Sequence, residues 1–420
     1  MSLVKVKMKN KIYNLIRWTE KYVKTDMLYL VKGGSWLTLG QGVGTLTGLA
    51  LAIGFANLLP KEVYGNYSFA LALAGVIGAF TLTGMRTAIT QAVARGYDGV
   101  LETGFWLSMK WSVFMVVAAL AAALYYFLQE NDSLAISLLI IGAFSPLLIS
   151  SALYSGFLNG KKDFKTGTIF NIFTHAIPAA LLLTTIFLTD NVVLIVLSYF
   201  VGNTGVNAFF YVMTMRKYRP TRHIDPSTIS YSKHLSFLNI LSTAADYLDK
   251  ILIFHYVGAA QLAIYAFAIA LPTQLRGLLR NINSLLLPRF AEGEKETVQK
   301  GLREKIFWTG GVSTISVGMY IVAAPFIYRL FFPQYLDSVF YSQLFSLIII
   351  PATMGIVSSA FLEAHREQKA LYVTRIASPI IRIGLLVSLG YFYGIVGIIA
   401  ASIIAKTIML AVTNVFAFRA

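Results

Sequence analysis

The chain contains no cysteine. Disulfides, thiol nucleophiles and cysteine-bound metals are therefore excluded. It is also poor in charge: only 13% of its residues are Asp, Glu, Lys or Arg, against about 25% in soluble domains. Acidic residues are the scarcer sign, 19 against 35 Lys and Arg. There is no GxxxxGK[ST] phosphate loop, so the chain carries no ATPase of that type. His175 and His255 are isolated, and no histidine–carboxylate grouping has metal-ligand spacing. No cofactor, metal or enzyme site is expected. Long polar loops are missing as well. A membrane-embedded glycosyltransferase or glycan polymerase would need one to hold its catalytic groups, which leaves polymerase or scaffold as a weak alternative.

What is present is apolar. Hydrophobic residues make up 57% of the 420 positions, and the mean hydropathy is +0.68. This is the composition of an integral membrane protein, with room for about a dozen spans of roughly 20 residues. The net charge of +16 does not point to nucleic acid, because the basic residues sit in alternate loops between apolar runs, as the positive-inside rule requires.

Residues 1–35 form a basic segment with Lys5, Lys7, Lys9, Lys11, Arg17, Lys21, Lys24 and Lys32. Ile12, Leu15, Ile16 and Tyr22 give it a partial apolar face, so an interfacial helix on the cytoplasmic leaflet is expected. A cleaved signal peptide is not, because the first apolar run starts late and a second span follows at once. Hydropathy predicts spans near 36–59, 64–84, 105–128, 133–158, 166–188 and 191–214, the N-lobe over 36–214. A basic cytoplasmic linker over 215–234 follows. Six more spans, near 235–257, 259–284, 306–331, 338–362, 370–392 and 394–417, make a C-lobe over 235–420. Loops after even spans carry Arg86 and Arg95, Lys161 to Lys165, the 216–233 cluster, Arg289 to Lys305, and Arg366 with Lys369. Loops after odd spans carry few basic residues. Both termini are therefore expected in the cytoplasm.

The two halves repeat. Tyr64–Leu73 (YGNYSFALAL) aligns with Leu262–Leu271 (LAIYAFAIAL), pairing Tyr67 with Tyr265. Ser155–Lys165 (SGFLNGKKDFK) aligns with Ser359–Lys369 (SAFLEAHREQK). An even number of spans per repeat keeps both copies in one membrane orientation. The fold class is therefore all-α and polytopic: about twelve spans in two pseudo-symmetric six-helix lobes, related by an axis along the membrane normal. Spans 1 and 7 should face each other across the cavity.

Spans 7 and 8 carry polar stripes that lipid would not tolerate. The first has Asn239, Ser242, Thr243, Asp246, Asp249 and Lys250; the second has Thr273, Arg276, Arg280 and Asn283. Three- and four-residue spacing puts each set on one helical face. A charge at the bilayer centre costs roughly 2.5–3.5 kcal/mol on insertion scales, so such faces line a bundle interior or a wet cavity. Arg276 and Arg280 present planar forks suited to bidentate phosphate contact. Arg280 lies nearer the cytoplasmic end, where snorkelling to headgroups competes with a cavity role. Asp246 and Lys250, at i and i+4, suit an intrahelical ion pair, and Asp249 is then left over for coupling or charge tuning. Arg86, ending span 2, is the first lobe's counterpart of these arginines, with snorkelling the competing role. Asn239 completes the candidate substrate-binding set. Arg382 and Lys406, near the middles of spans 11 and 12, must face protein or water, but spacing does not say which. Gln41, Thr45 and Gly48 on span 1 suit helix packing through small residues. A kink is expected at Pro272, and Pro288 flanks the same basic stretch.

Three segments carry a family resemblance: LLPKEVYGNYSFALAL after span 1, YLDKILIFHYVGAAQLAIYAFAIAL across spans 7 and 8, and YFYGIVGIIAASIIAK across spans 11 and 12. With the six-plus-six plan, the chain resembles the Wzx-like polysaccharide-biosynthesis flippases of the multidrug/oligosaccharidyl-lipid/polysaccharide exporter superfamily. The resemblance implies transfer of a polyprenyl-pyrophosphate-linked oligosaccharide across the cytoplasmic membrane by alternating access. It implies a central cavity between two lobes, cationic by analogy with the lipid II flippases of the superfamily. Glycan polymerases or glycosyltransferases are the partners it suggests, besides substrate and bilayer. A drug or cation antiporter of the same superfamily is the leading rival. It would call for an acidic cavity, whereas the charges inside these spans are mainly positive.

Overall fold

A computed structural model describes residues 27–221, 223–280, 290, 295–365 and 367–419. Regular structure among them is helical throughout. In hydrocarbon every backbone polar group must be satisfied within the segment, which is why long apolar runs become helices. Span 1 is Met27–Leu58, and span 2 is Lys61–Gly78 continued after a break by Met85–Ala94. Span 3 is Val100–Trp111 with Val113–Leu128, span 4 is Asp132–Ser151 with Tyr154–Gly160, span 5 is Phe164–Leu188 and span 6 is Val192–Tyr218. Span 7 is Ser227–Tyr256 and span 8 is Ala259–Arg280; a short helix, Lys295–Lys300, precedes span 9, Leu302–Phe331. Span 10 is Ser338–Ser346 with Ile349–Ala364, and Gln368–Arg419 holds spans 11 and 12.

Eight of these helical stretches are long and apolar enough to cross a membrane. One, Gln368–Arg419, is interrupted at Gly394, whose φ of 56° and ψ of −133° leave the helical region, and so contains two spans. Gly258, with φ of 105°, makes the corresponding turn between spans 7 and 8. Side chains rarely adopt this backbone geometry, which glycine accepts freely. Spans 2, 7 and 8 fall outside the apolar set. Those are the helices on which the lobes meet, and spans 7 and 8 among them carry the polar stripes.

Several helices run past their hydropathy limits at the basic ends. Span 6 reaches Tyr218 and span 7 starts at Ser227, because lysine and arginine stems extend a helix into the headgroup layer while their charges stay wet. Span 2, expected to be continuous over 64–84, instead breaks between Gly78 and Met85. Gly84 lies there against span 7, its N–H donating to Ser236 Oγ at 2.9 Å. A Cβ at Gly84 would sit 2.5 Å from that of Leu235. The basic segment expected over 1–35 lies largely outside the described residues, as does Pro288. Pro272 lies inside span 8.

Packing repeats between the halves. Span 5 packs on spans 1 and 6, and span 4 on spans 3 and 6; in the second half, the helix of spans 11 and 12 packs on spans 7 and 10, and span 10 on span 9. Between lobes the main seam joins span 2 to spans 7 and 8. At the end formed by the loops after odd spans, this seam is tight. A Cβ at Gly65 would lie 1.9 Å from the carbonyl oxygen of Ala259. Tyr64 meets Phe267 with ring centroids 4.8 Å apart, and Phe69 stacks on Phe254 at 3.8 Å. Lys61 pairs with Asp337 at 3.1 Å, and Asn57 Nδ2 donates to the carbonyl of Phe331 at 3.0 Å. The lobes are thus locked together at this end. Across a pocket of about 190 Å³, Gln41 and Thr45 of span 1 face Gln274 of span 8 and Tyr320 of span 9. At this pocket span 1 looks toward spans 8 and 9, where the expectation was span 7.

Candidate functional site

The polar stripe of span 7 turns into the second lobe. Asp249 is buried, with 4% of its surface exposed. It accepts a hydrogen bond from the hydroxyl of Tyr265 at 2.6 Å and one from the Lys250 backbone N–H at 2.8 Å. Arg382 of span 11 reaches across the lobe. Its Nη1 donates to Asp246 Oδ1 at 2.6 Å, and its Nη2 lies 3.7 Å from Asp249 Oδ2. One guanidinium fork thus holds both carboxylates of span 7. The i, i+4 pairing of Asp246 with Lys250, expected from spacing, gives way to this pair between spans. Arg382 offers a planar fork that engages both carboxylates at once, whereas the Lys250 ammonium is a single point of charge.

Two cavities lie beside this hub. The larger, about 510 Å³, is lined by Asn239, Ser242, Arg276, Glu363, Arg375 and Lys406 among others. The smaller, about 240 Å³, is lined by Asp246, Asp249, Lys250, Arg276, Arg382 and Lys406 among others. Arg276, Ser378 and Lys406 belong to both linings. Judged by depth along spans 7, 8, 10, 11 and 12, the cavities are stacked. The larger occupies the half of the lobe nearer the even loops, and the smaller the middle. Arg375 and Glu363 lie at the outer part, Arg276 and Lys406 at the waist, and the Arg382–Asp246–Asp249 hub at the floor. Such a space can take an anionic group and give it hydrogen bonds from more than one cation.

The family model for polysaccharide biosynthesis proteins matches residues 30–294. The chain belongs to the polysaccharide biosynthesis protein family. No curated protein matches it in sequence. Among solved structures it is similar to an inward-facing multidrug resistance MATE family transporter of the MOP superfamily, with a TM-score of 0.69 and 16% identity over 92% of this chain and 97% of that one. It is similar to the lipid II flippase MurJ in an inward closed conformation, with a TM-score of 0.68 and 14% identity over 91% and 87%. A MOP superfamily transporter from Pyrococcus furiosus, reported for the reverse polarity of its binding pocket, gives 0.64 and 16% over 93% and 94%. These likenesses establish the fold, a multi-pass helical one shared with those membrane transporters.

In this family member the expected site residues divide. Arg276, Lys250, Asp246, Asp249 and Asn239 come together around the two stacked cavities. Arg86 does not join them. It is exposed on Met85–Ala94 of the first lobe and lines none of the three cavities described here. Arg280 ends the described part of span 8, and its side chain lies outside the described residues. The charged site sits inside the second lobe, where the expectation was a cavity between lobes. Arg382 and Lys406 are the members that residue spacing left unassigned. Each is a lone charge on its own span, so no helical stripe marks it. The internal repeat does carry a signal. The register pairing Ser155 with Ser359 also pairs Arg382 with Pro178, and Lys406 with Gly202. A Cβ at Gly202 would meet Pro178 Cα at 3.2 Å. The first lobe therefore closes with small, apolar packing at the positions where the second lobe holds its charges.

Proposed function

We propose that this protein flips a polyprenyl-(pyro)phosphate-linked oligosaccharide across the cytoplasmic membrane, by alternating access, for surface polysaccharide synthesis. The observation that carries the reading is the charge of the cavities in a member of this family: Arg276, Arg375, Arg382, Lys250 and Lys406 against Asp246, Asp249 and Glu363. Arg276 anchors the phosphate, with Lys250, Asn239 and Arg280 assisting. Asp246 and Asp249 tune the field by holding Arg382. Arg86 is a weaker contributor from the first lobe. The lipid tail stays in the bilayer while the lobes rock about the span 2 seam. Basic even loops support cytoplasmic termini, with the locked end facing outward. The protein acts without catalysis of its own, between enzymes that assemble the lipid-linked glycan and those that polymerise it.

The rival, a cation antiporter, would need an acidic cavity open to a cationic substrate; here Asp246 and Asp249 are engaged by Arg382, and Glu363 is outnumbered by the cations that share its cavity. Proteoliposomes carrying a fluorescent polyprenyl-diphosphate-linked sugar separate the readings. Flipping should be lost in Arg276→Ala and partly recovered in Arg276→Lys, which keeps the charge without the fork. Normal flipping in Arg276→Ala moves the anchor elsewhere, and uptake of an organic cation with no flipping of the sugar lipid favours the antiporter.

A further inference from the structure

Lys406 is set against like charge inside the lobe. It shares both cavities with Arg276, and Arg276 and Arg382 lie close enough to repel its ammonium. Arg382 has two carboxylate partners. Lys406 makes no ion pair with any described carboxylate. Asp246, which attracts it, is engaged by Arg382 at 2.6 Å. Arg276 is exposed to the space beside it and Lys406 is half-buried, and like charges gathered this closely are unfavourable unless a counter-charge is supplied. The protein had a cheaper solution available, since the first lobe closes the equivalent positions with Gly202 against Pro178. The second lobe instead keeps open space of about 510 and 240 Å³ on either side of the Arg276–Lys406 waist.

We infer that this waist is a binding site for a phosphoryl oxyanion, held within the second lobe between Arg276 of span 8 and Lys406 of span 12. Lys406 is the residue that completes it. Arg382, held by Asp246 and Asp249, forms the floor and does not bind the ligand. The waist suits an oxyanion because Arg276 offers a planar fork and Lys406 a point charge from the facing helix. Ser378, shared by both linings, adds a hydroxyl donor. The same chemistry is carried by the diphosphate of a lipid-linked glycan and by a phospholipid headgroup. The inference rests on the proposed function only for which of the two fills the site.

The test uses the purified full-length protein in nanodiscs of zwitterionic lipid, with thermal unfolding followed as inorganic pyrophosphate or short-chain phosphatidylglycerol is added. Pyrophosphate should raise the melting temperature of the wild type. Lys406→Met should weaken its apparent affinity about tenfold or more, the worth of one charge-assisted contact. Lys406→Arg should retain it. Lys406→Met should also raise the melting temperature in the absence of anion, because it removes a repelled charge; a Lys406 serving a structural ion pair would give the opposite change. Stabilisation by phosphatidylglycerol alone, also abolished in Lys406→Met, assigns the site to a bilayer lipid. A Lys406→Met protein that melts lower without anion and keeps the wild-type pyrophosphate response overturns the inference. That result leaves the flippase reading to its own assay, and a Lys406-dependent anion site in a protein that flips no sugar lipid refutes only the flippase reading.

Discussion

Arg382 is the residue whose loss the second lobe should feel most. Arg382→Met keeps an unbranched apolar stem but removes the charge that holds Asp246 and Asp249. The two partners do not count equally. The side chain of Asp246 is 67% exposed, and a pair of that kind is worth under about 1 kcal/mol. The side chain of Asp249 is 6% exposed and lies 3.7 Å from the guanidinium. At an effective dielectric of about 20 the attraction is about 4–5 kcal/mol, reduced because the arginine is itself partly exposed. Stranding one partner of a buried pair costs about 3–5 kcal/mol, so a loss of about 3 kcal/mol is expected for Arg382→Met. Asp249→Asn removes the stranded charge while leaving an amide oxygen for the Tyr265 hydroxyl. The double variant Arg382→Met/Asp249→Asn should therefore recover much of the loss, with a coupling of about 2 kcal/mol or more. Reversible unfolding in mixed detergent–SDS micelles, followed by tryptophan fluorescence, measures all four corners of this cycle. A coupling below about 0.5 kcal/mol would falsify the assignment of Arg382 and Asp249 as one electrostatic unit.

Three further outcomes follow from other contacts. Gly65→Ala places a methyl 1.9 Å from the Ala259 carbonyl oxygen and must push the helices apart by more than ~1 Å. Spin labels at Asn57 and Gln334 should then report a longer distance across the locked end, and an unchanged distance would show that the seam yields elsewhere. At the even-loop end, partial burial works to raise the Asp163 carboxyl, but hydrogen bonds from Tyr218, Thr166 and Lys217 outweigh it and hold the group below the usual carboxylate range. Its contribution to stability is present above the unfolded value of about 3.9 and is lost as pH falls through the lower folded value. Melting at neutral pH should drop in Asp163→Asn, and the gap from wild type should narrow on acidification; a gap that widens refutes the sign. Reporter fusions at Lys161 and Asp190 should lie on opposite sides of the membrane, and same-side labelling would break the span order.

Hydropathy and loop charge are properties of the chain read one residue at a time, and each span must satisfy its own backbone in lipid. For that reason the twelve spans, their two-fold repeat and the polar stripes of spans 7 and 8 were legible without coordinates. The helix ends were less so, because snorkelling side chains let a helix outrun its apolar run, and so was the break in span 2, which depends on Gly84 meeting Ser236 across the seam. Which charge neutralises which was not legible at all. Asp246 has an eligible partner four residues away in Lys250, and only the fold brings Arg382 within 2.6 Å from a helix 136 residues along the chain. Likewise Lys406 carries no local pattern, since a cavity is made by helices that are distant in sequence. Composition and hydropathy alone require that charges be sheltered in this bundle. Tertiary packing decided that they are sheltered inside one lobe, because the equivalent space in the other is filled where Gly202 closes on Pro178.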